Sequence, residues 1–84
     1  MKDLAGSKDH ASASRRWFRN LLWRAFPAQS EHELAERASA VLNVSPRQVK
    51  NWLREENDAS LRYVTAVLVI AGAEVVFSKI EGKS

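Results

Sequence analysis

Residues 30–54, SEHELAERASAVLNVSPRQVKNWLR, carry two helix-start signals so close together that only two short helices and a tight turn fit the stretch. At Ser45 three cues coincide: a serine able to cap, Pro46 at the first helical position where a missing N–H costs nothing, and Gln48 completing a Ser-x-x-Gln capping box. Val44 before the cap and Val49 inside the helix can close a hydrophobic staple. Ser30 and Glu33 form a second box, followed by Leu34, Ala35, Ala38, Val41 and Leu42 on one helical stripe. Between the two, Asn43 tolerates the left-handed conformation better than most residues and can end the earlier helix within one residue. Two short helices joined in this way have the layout of a helix-turn-helix.

The flanks supply what such a pair needs to be covered. In SRRWFRNLLWRAF, Trp17, Phe18, Leu21, Leu22, Ala25 and Phe26 share a helical face, with Arg15, Arg16, Arg19 and Asn20 largely away from it, until Pro27 forces a stop. After the polar run EENDAS, in which Asn57 is a candidate terminator and Ser60 a candidate cap, a fourth helix is expected from about Leu61 to Ala71. Its stripe would be Leu61, Val64, Leu68 and Ala71, with Gly72 as the stop. Residues 1–13, small and polar without periodicity, are expected to form a disordered arm in which His10 is inert. Val75, Val76, Phe77 and Ile80 favour a short strand in residues 74–84, with a helix running on through Phe77 as the alternative. The expected fold is therefore mainly α: a small four-helix domain over residues 14–73, a central helix-turn-helix, and a short C-terminal β-strand as an optional addition.

An 84-residue chain bounds this to one domain, in the size range where a single core is stable but marginal. There is no cysteine, hence no disulfide framework and no thiolate metal site, which fits a reducing cytoplasm. The N-terminus lacks the apolar core of a secretory signal, and the longest apolar run, Tyr63 to Ala73, is too short to span a bilayer. The net charge is +3 and the pI about 9.7, a mild bias that permits nucleic acid without demanding it. Its distribution says more. Between residues 14 and 54, Arg15, Arg16, Arg19, Arg24, Arg37, Arg47, Lys50 and Arg54 face only Glu31, Glu33 and Glu36, an excess of five positive charges.

On the second helix of the pair, Arg47, Lys50, Asn51 and Arg54 fall at i, i+3, i+4 and i+7, within an arc of roughly 100°. Val49, Trp52 and Leu53 point the other way. Leu42, Val44, Val49 and Trp52 match the diagnostic buried positions of the Cro/lambda-repressor-like helix-turn-helix family, which residues 30–60 resemble. Asn43 stands where that family usually has glycine, and Ser39 where it usually has alanine. RQVKNWL is also similar to the reading helix of homeodomains, although Glu55 and Glu56 replace the basic run that normally follows. The resemblance implies sequence-specific binding of double-stranded DNA, as in a small bacterial or phage-type transcriptional regulator, with Pro46 to Glu55 entering the major groove.

Each side chain then has a candidate role beside a plainer one. Arg47 and Lys50 can donate to guanine, Asn51 can pair with adenine through two bonds, and Arg54 suits phosphate, although such a cluster on an ordinary helix is a solvated face. Gln48 is divided between completing the capping box and contacting a base. Ser45 can offer its hydroxyl to phosphate at a helix start that favours anions. Arg15, Arg16 and Arg19 are further phosphate candidates, against a merely solvated basic face. Trp52 is expected in the core rather than as a stacking platform. His32 has no partner at metal-ligand spacing, so no metal is expected, and no cofactor. Without a nucleophile pattern or a glycine-rich phosphate loop, no enzymatic activity is expected.

Two other readings remain. The same fold could serve as a protein-interaction module that binds a polymerase or a toxin, or the Arg/Trp-rich first helix could lie on a membrane surface. The latter ranks last, because those aromatics are needed to cover the core, and no membrane partner is expected. A lone helix-turn-helix reads few base pairs, so a homodimer is expected, joined by residues 74–80 pairing as an antiparallel ribbon about a two-fold axis.

Overall fold

The computed structural model describes the backbone of residues 3–82 and the side chains of residues 10–73. Four helices follow one another: α1 (Asp3–Ala25), α2 (Glu31–Leu42), α3 (Pro46–Leu53) and α4 (Leu61–Gly82), and no strand occurs among the described residues. The mainly α, four-helix expectation is met.

The two serine caps form as their sequence dictates. Ser30 is extended (φ −149°, ψ 161°) and its Oγ accepts from the Glu33 N–H at 3.1 Å, while Glu33 Oε1 accepts from the N–H of Gln29 at 3.0 Å. Asn43 sits in the left-handed region (φ 59°, ψ 46°), and its N–H and that of Val44 both donate to the Ser39 carbonyl, at 2.9 and 3.3 Å. That geometry gives the Ser39 carbonyl two donors and turns the chain straight into the next cap. Ser45 (φ −76°, ψ 151°) accepts from the Gln48 N–H at 3.0 Å, with Pro46 in the first turn.

α3 packs on α2, α1 lies against both, and α4 packs along α1. Phe18, Leu22, Ala25 and Phe26 meet Leu34, Ala35, Ala38 and Leu42 of α2 and Val49, Trp52 and Leu53 of α3, with Val67 and Ala71 from α4. Trp52 ties three helices together. Phe18 meets its ring edge-on, with centroids 5.3 Å apart and an interplanar angle of 84°, and Tyr63 lies 5.4 Å away on the other helix.

Several expectations are corrected. The arm expected to be disordered is helical from Asp3 onward, as part of α1; Met1 and Lys2 lie outside the described residues. Once residues 18–25 are packed, adding a turn forms one hydrogen bond per residue fixed, and no proline interrupts Asp3 to Ala13. The strand expected within residues 74–84 is likewise helix to Gly82, which removes the ribbon on which the expected dimer rested. Gly72 does not stop α4: none of the described glycines has positive φ, and one glycine within a helix costs only about 1 kcal/mol relative to alanine. The valines at 75 and 76 cost a few tenths of a kcal/mol each in a helix already under way.

Three faces also differ. Val41 is 60% exposed rather than part of the buried stripe of α2, and Trp17 is 49% exposed on α1. On α4 the buried line is Val67 and Ala71, flanked by partly buried Tyr63, Val64, Ala66 and Ile70, whereas Leu61 and Leu68 face outward. Finally, α3 ends at Leu53, short of Glu55 and well before Asn57. Glu55 takes the left-handed conformation (φ 61°) and donates its N–H to the Trp52 carbonyl at 3.0 Å, while the Glu56 N–H reaches the Asn51 carbonyl at 2.9 Å. These paired bonds are a Schellman closure with glutamate where glycine is usual.

Candidate nucleic-acid interface

α3 has two opposed faces because its apolar residues recur at three- and four-residue spacing while its polar ones fill the gaps. Val49, Trp52 and Leu53 are buried, at 0, 2 and 5% exposure, and hold the helix against α2 and α1. Arg47 is exposed on the other side, with Lys50 and Asn51 half-buried, and Arg54 follows at the cap (φ −92°, ψ 5°). Among the described residues, Arg47, Lys50 and Asn51 make no side-chain hydrogen bond or ion pair, so their donors are available to a ligand. Arg54 is partly engaged, with Nη2 3.6 Å from Glu31 Oε1 across the gap to α2.

At the start of α3 the capping box is half made. The backbone N–H of Gln48 donates to Ser45 Oγ, but among the described residues the Gln48 side chain makes no return bond. Among the described residues its amide is therefore uncommitted. Ser45 and Gln48 line a cleft of about 440 Å³ with Val44, Trp52, Asp58, Ser60 and Tyr63. Trp52 Nε1 is buried and has no hydrogen-bond partner among the described residues, where the ring is placed by apolar contacts. His32 is exposed at the start of α2.

The basic residues of α1 divide. Arg15 Nε donates to Asp58 Oδ1 at 2.6 Å, and Arg19 Nη1 donates to Glu55 Oε2 at 2.6 Å. The bond to Asp58, with its negative charge, pushes the Arg15 guanidinium further above its usual range. A phosphate contact at either arginine would have to break an existing pair, whereas Arg16 is exposed and has no such pair among the described residues. Arg37 is also occupied: Nη2 donates to Glu33 Oε2 and Nη1 to the Pro27 carbonyl, both at 2.7 Å, which fastens the loop before α2.

Both acids that capture α1 lie in the polar EENDAS run that also holds Asn57 and Ser60. The available signal was charge: arginines at i and i+4 on one helix, and two carboxylates in a segment that must return past it. The left-handed Glu55 had no such signal, since glutamate is an uncommon residue there. No family model, curated protein or solved structure matches the chain, so the case for an interface rests on the residues described above.

Proposed function

We propose that this protein binds double-stranded DNA sequence-specifically, as a small transcriptional regulator of bacterial or phage type, with α3 as its reading helix in the major groove. The observation that carries the reading is the division of α3: a face of Val49, Trp52 and Leu53 fixed in the core, opposite Arg47, Lys50 and Asn51 with uncommitted donors. Arg47 and Lys50 suit the O6 and N7 acceptors of guanine, and Asn51 and Gln48 suit the N6 and N7 edge of adenine. Ser45, Arg54 and Arg16 contact phosphate and set the register of the helix. Arg15 and Arg19 act at one remove, holding the end of α3 through Asp58 and Glu55. The resemblance of residues 30–60 to Cro/lambda-repressor-like domains points the same way. The cytoplasm is the compartment proposed, in keeping with the absence of cysteine.

Membrane binding finds less support. No helix among the described residues is long and apolar enough to cross a membrane, and Phe18 and Leu22 of the Arg/Trp-rich helix, with Phe26 just after it, are spent on the core. Selection of fragments from a random double-stranded pool, followed by sequencing and gel shifts, tests the proposal. One enriched site, bound by the intact protein and lost in the double variant Arg47→Ala/Asn51→Ala, is the expected result. No enrichment, or full binding by that variant, overturns it and leaves the protein-interaction reading.

A further inference from the structure

Between α1 and the connection from α3 to α4 lies a hollow of about 520 Å³. Two adjacent rows of α1 form one wall, Ala11, Arg15 and Phe18 in one and His10, Ser14 and Trp17 in the other, each at i, i+4 and i+7. Asn57, Asp58 and Ala59 of the connection, with Val64 of α4, form the rest. The sequence keeps the space open by placing small side chains, Ala11, Ser14 and Ala59, among its walls. The core accounts for Phe18, which is 5% exposed, but not for its neighbour Trp17, which lines the hollow and is 49% exposed.

We propose that this hollow binds a small uncharged aromatic molecule, of one or two fused rings with a single hydroxyl or ring N–H. Three observations set the class of ligand. The first is size: pockets for small molecules run from about 300 to 1,000 Å³, and an apolar cavity of about 150 Å³ already takes benzene, so two fused rings fit. The second is the walls, where Trp17 and Phe18 offer ring edges and faces beside the aliphatic Val64, and an aromatic ligand gains stacked or edge-to-face contacts there. The third is charge. Arg15 and Asp58 line the same hollow but are bonded to each other, Nε to Oδ1 at 2.6 Å, so together they present a neutral pair. A charged ligand would have to break that bond or bring an unmatched charge out of water, whereas an uncharged one leaves the pair intact. Among the described residues the second carboxylate oxygen of Asp58 and the side-chain amide of Asn57 make no hydrogen bond, so they can meet one hydroxyl or ring N–H and fix the ligand's orientation.

No wall of the hollow belongs to α3, so Arg47, Lys50 and Asn51 stay free and the site can be tested without DNA. A ligand here touches both α1 and the connection leading out of α3. It adds to the hold that Arg15 already exerts there through Asp58.

Indole is the probe, with indoleacetate and tryptamine as its anionic and cationic counterparts, at about pH 8 where imidazole is ordinarily uncharged. Titrated into the isotope-labelled intact protein, indole should bind with a dissociation constant below about 1 mM and shift amide resonances within residues 10–18 and 57–64. The melting temperature should rise with indole concentration. Both charged counterparts should bind at least about threefold more weakly. Ser14→Leu and Ala11→Leu each place a larger side chain in the hollow at an exposed position of α1, and should weaken indole at least about tenfold without lowering the melting temperature of the free protein. Ser12→Leu, exposed on the same helix but outside the hollow, should leave binding unchanged. The proposal is overturned by the absence of saturable shifts up to several millimolar, by shifts scattered over other surfaces, or by a charged counterpart that binds more tightly than indole. Undiminished indole binding in either filled variant overturns it as well.

Discussion

Arg19 Nη1 lies 2.6 Å from Glu55 Oε2, joining the middle of α1 to the residue that closes α3 in a left-handed conformation. The contact spans 36 positions in sequence and ties α1 to the closure of α3. With side chains 35 and 25% exposed, the pair is neither fully solvated nor dry. Its contribution is therefore modest, at about 1 kcal/mol or less, and comparable to the roughly 1 kcal/mol that left-handed backbone costs a non-glycine residue.

Those two magnitudes make the response to substitution at Glu55 specific. Glu55→Ala loses the pair and keeps the strain, so it should lower stability by about 1 kcal/mol. Glu55→Gly loses the pair but relieves the strain, and should remain within about 0.5 kcal/mol of the parent. Urea titrations of the three proteins give the order, and an alanine variant as stable as the parent would show that the pair contributes nothing.

At Trp52 the prediction separates shape from hydrogen bonding. Trp52→Ala removes a ring shared by Phe18 and Tyr63 and should cost roughly 3 to 5 kcal/mol, enough to unfold so small a domain. Trp52→Phe should cost much less, about 1 to 2 kcal/mol, because the lost Nε1 donates to no group among the described residues and chiefly volume is removed. Thermal melts distinguish this from a bonded indole, for which phenylalanine would lose more than the volume term. DNA binding should fail in the alanine variant through unfolding, so a folded Trp52→Ala protein that no longer binds would make Trp52 a contact residue.

On the proposed interface, single substitutions should sort by role. Arg47→Ala and Asn51→Ala should each cost about 1 to 3 kcal/mol and relax preference at individual base positions, whereas Arg54→Ala should weaken all sequences alike. Arg16→Ala should lower the slope of log affinity against log salt by about 0.9, as one lost phosphate contact does, and an unchanged slope would exclude Arg16 from the interface. Arg15→Ala should reduce affinity through the fold instead, leaving the salt slope in place.

Gly72 gives a prediction of opposite sign. It lies within α4, φ is not positive, and a Cβ there has open space, so Gly72→Ala should stabilise the monomer by about 0.5 to 1 kcal/mol. In a domain of this size that is a rise of roughly 2 to 8 °C in melting temperature, read at low protein concentration. A lower melting temperature would mean that the position is not helical.

What the sequence by itself determined was the local architecture of residues 30–53. Ser30, Asn43, Ser45 and Pro46 act on groups within a few residues of themselves, so their effect was already present in the order of the chain. The two faces of α3 were equally legible, because alternating chemistry at three- and four-residue spacing permits one orientation toward a core. Tertiary structure decided the rest, where local chemistry was permissive. No charged residue interrupts Tyr63 to Ala73, so helical spacing alone allowed several rotations; packing against α1 selected Val67 and Ala71 and turned Leu61 and Leu68 outward. Residues 74–82 could serve a strand or a helix, and continued the helix already packed before them, with no other strand among the described residues to pair with. Arg15 and Arg19 were indistinguishable from Arg16 as free cations until the fold brought Asp58 and Glu55 to them, because an ion pair between residues 36 and 43 positions apart exists only once the chain has folded back upon itself.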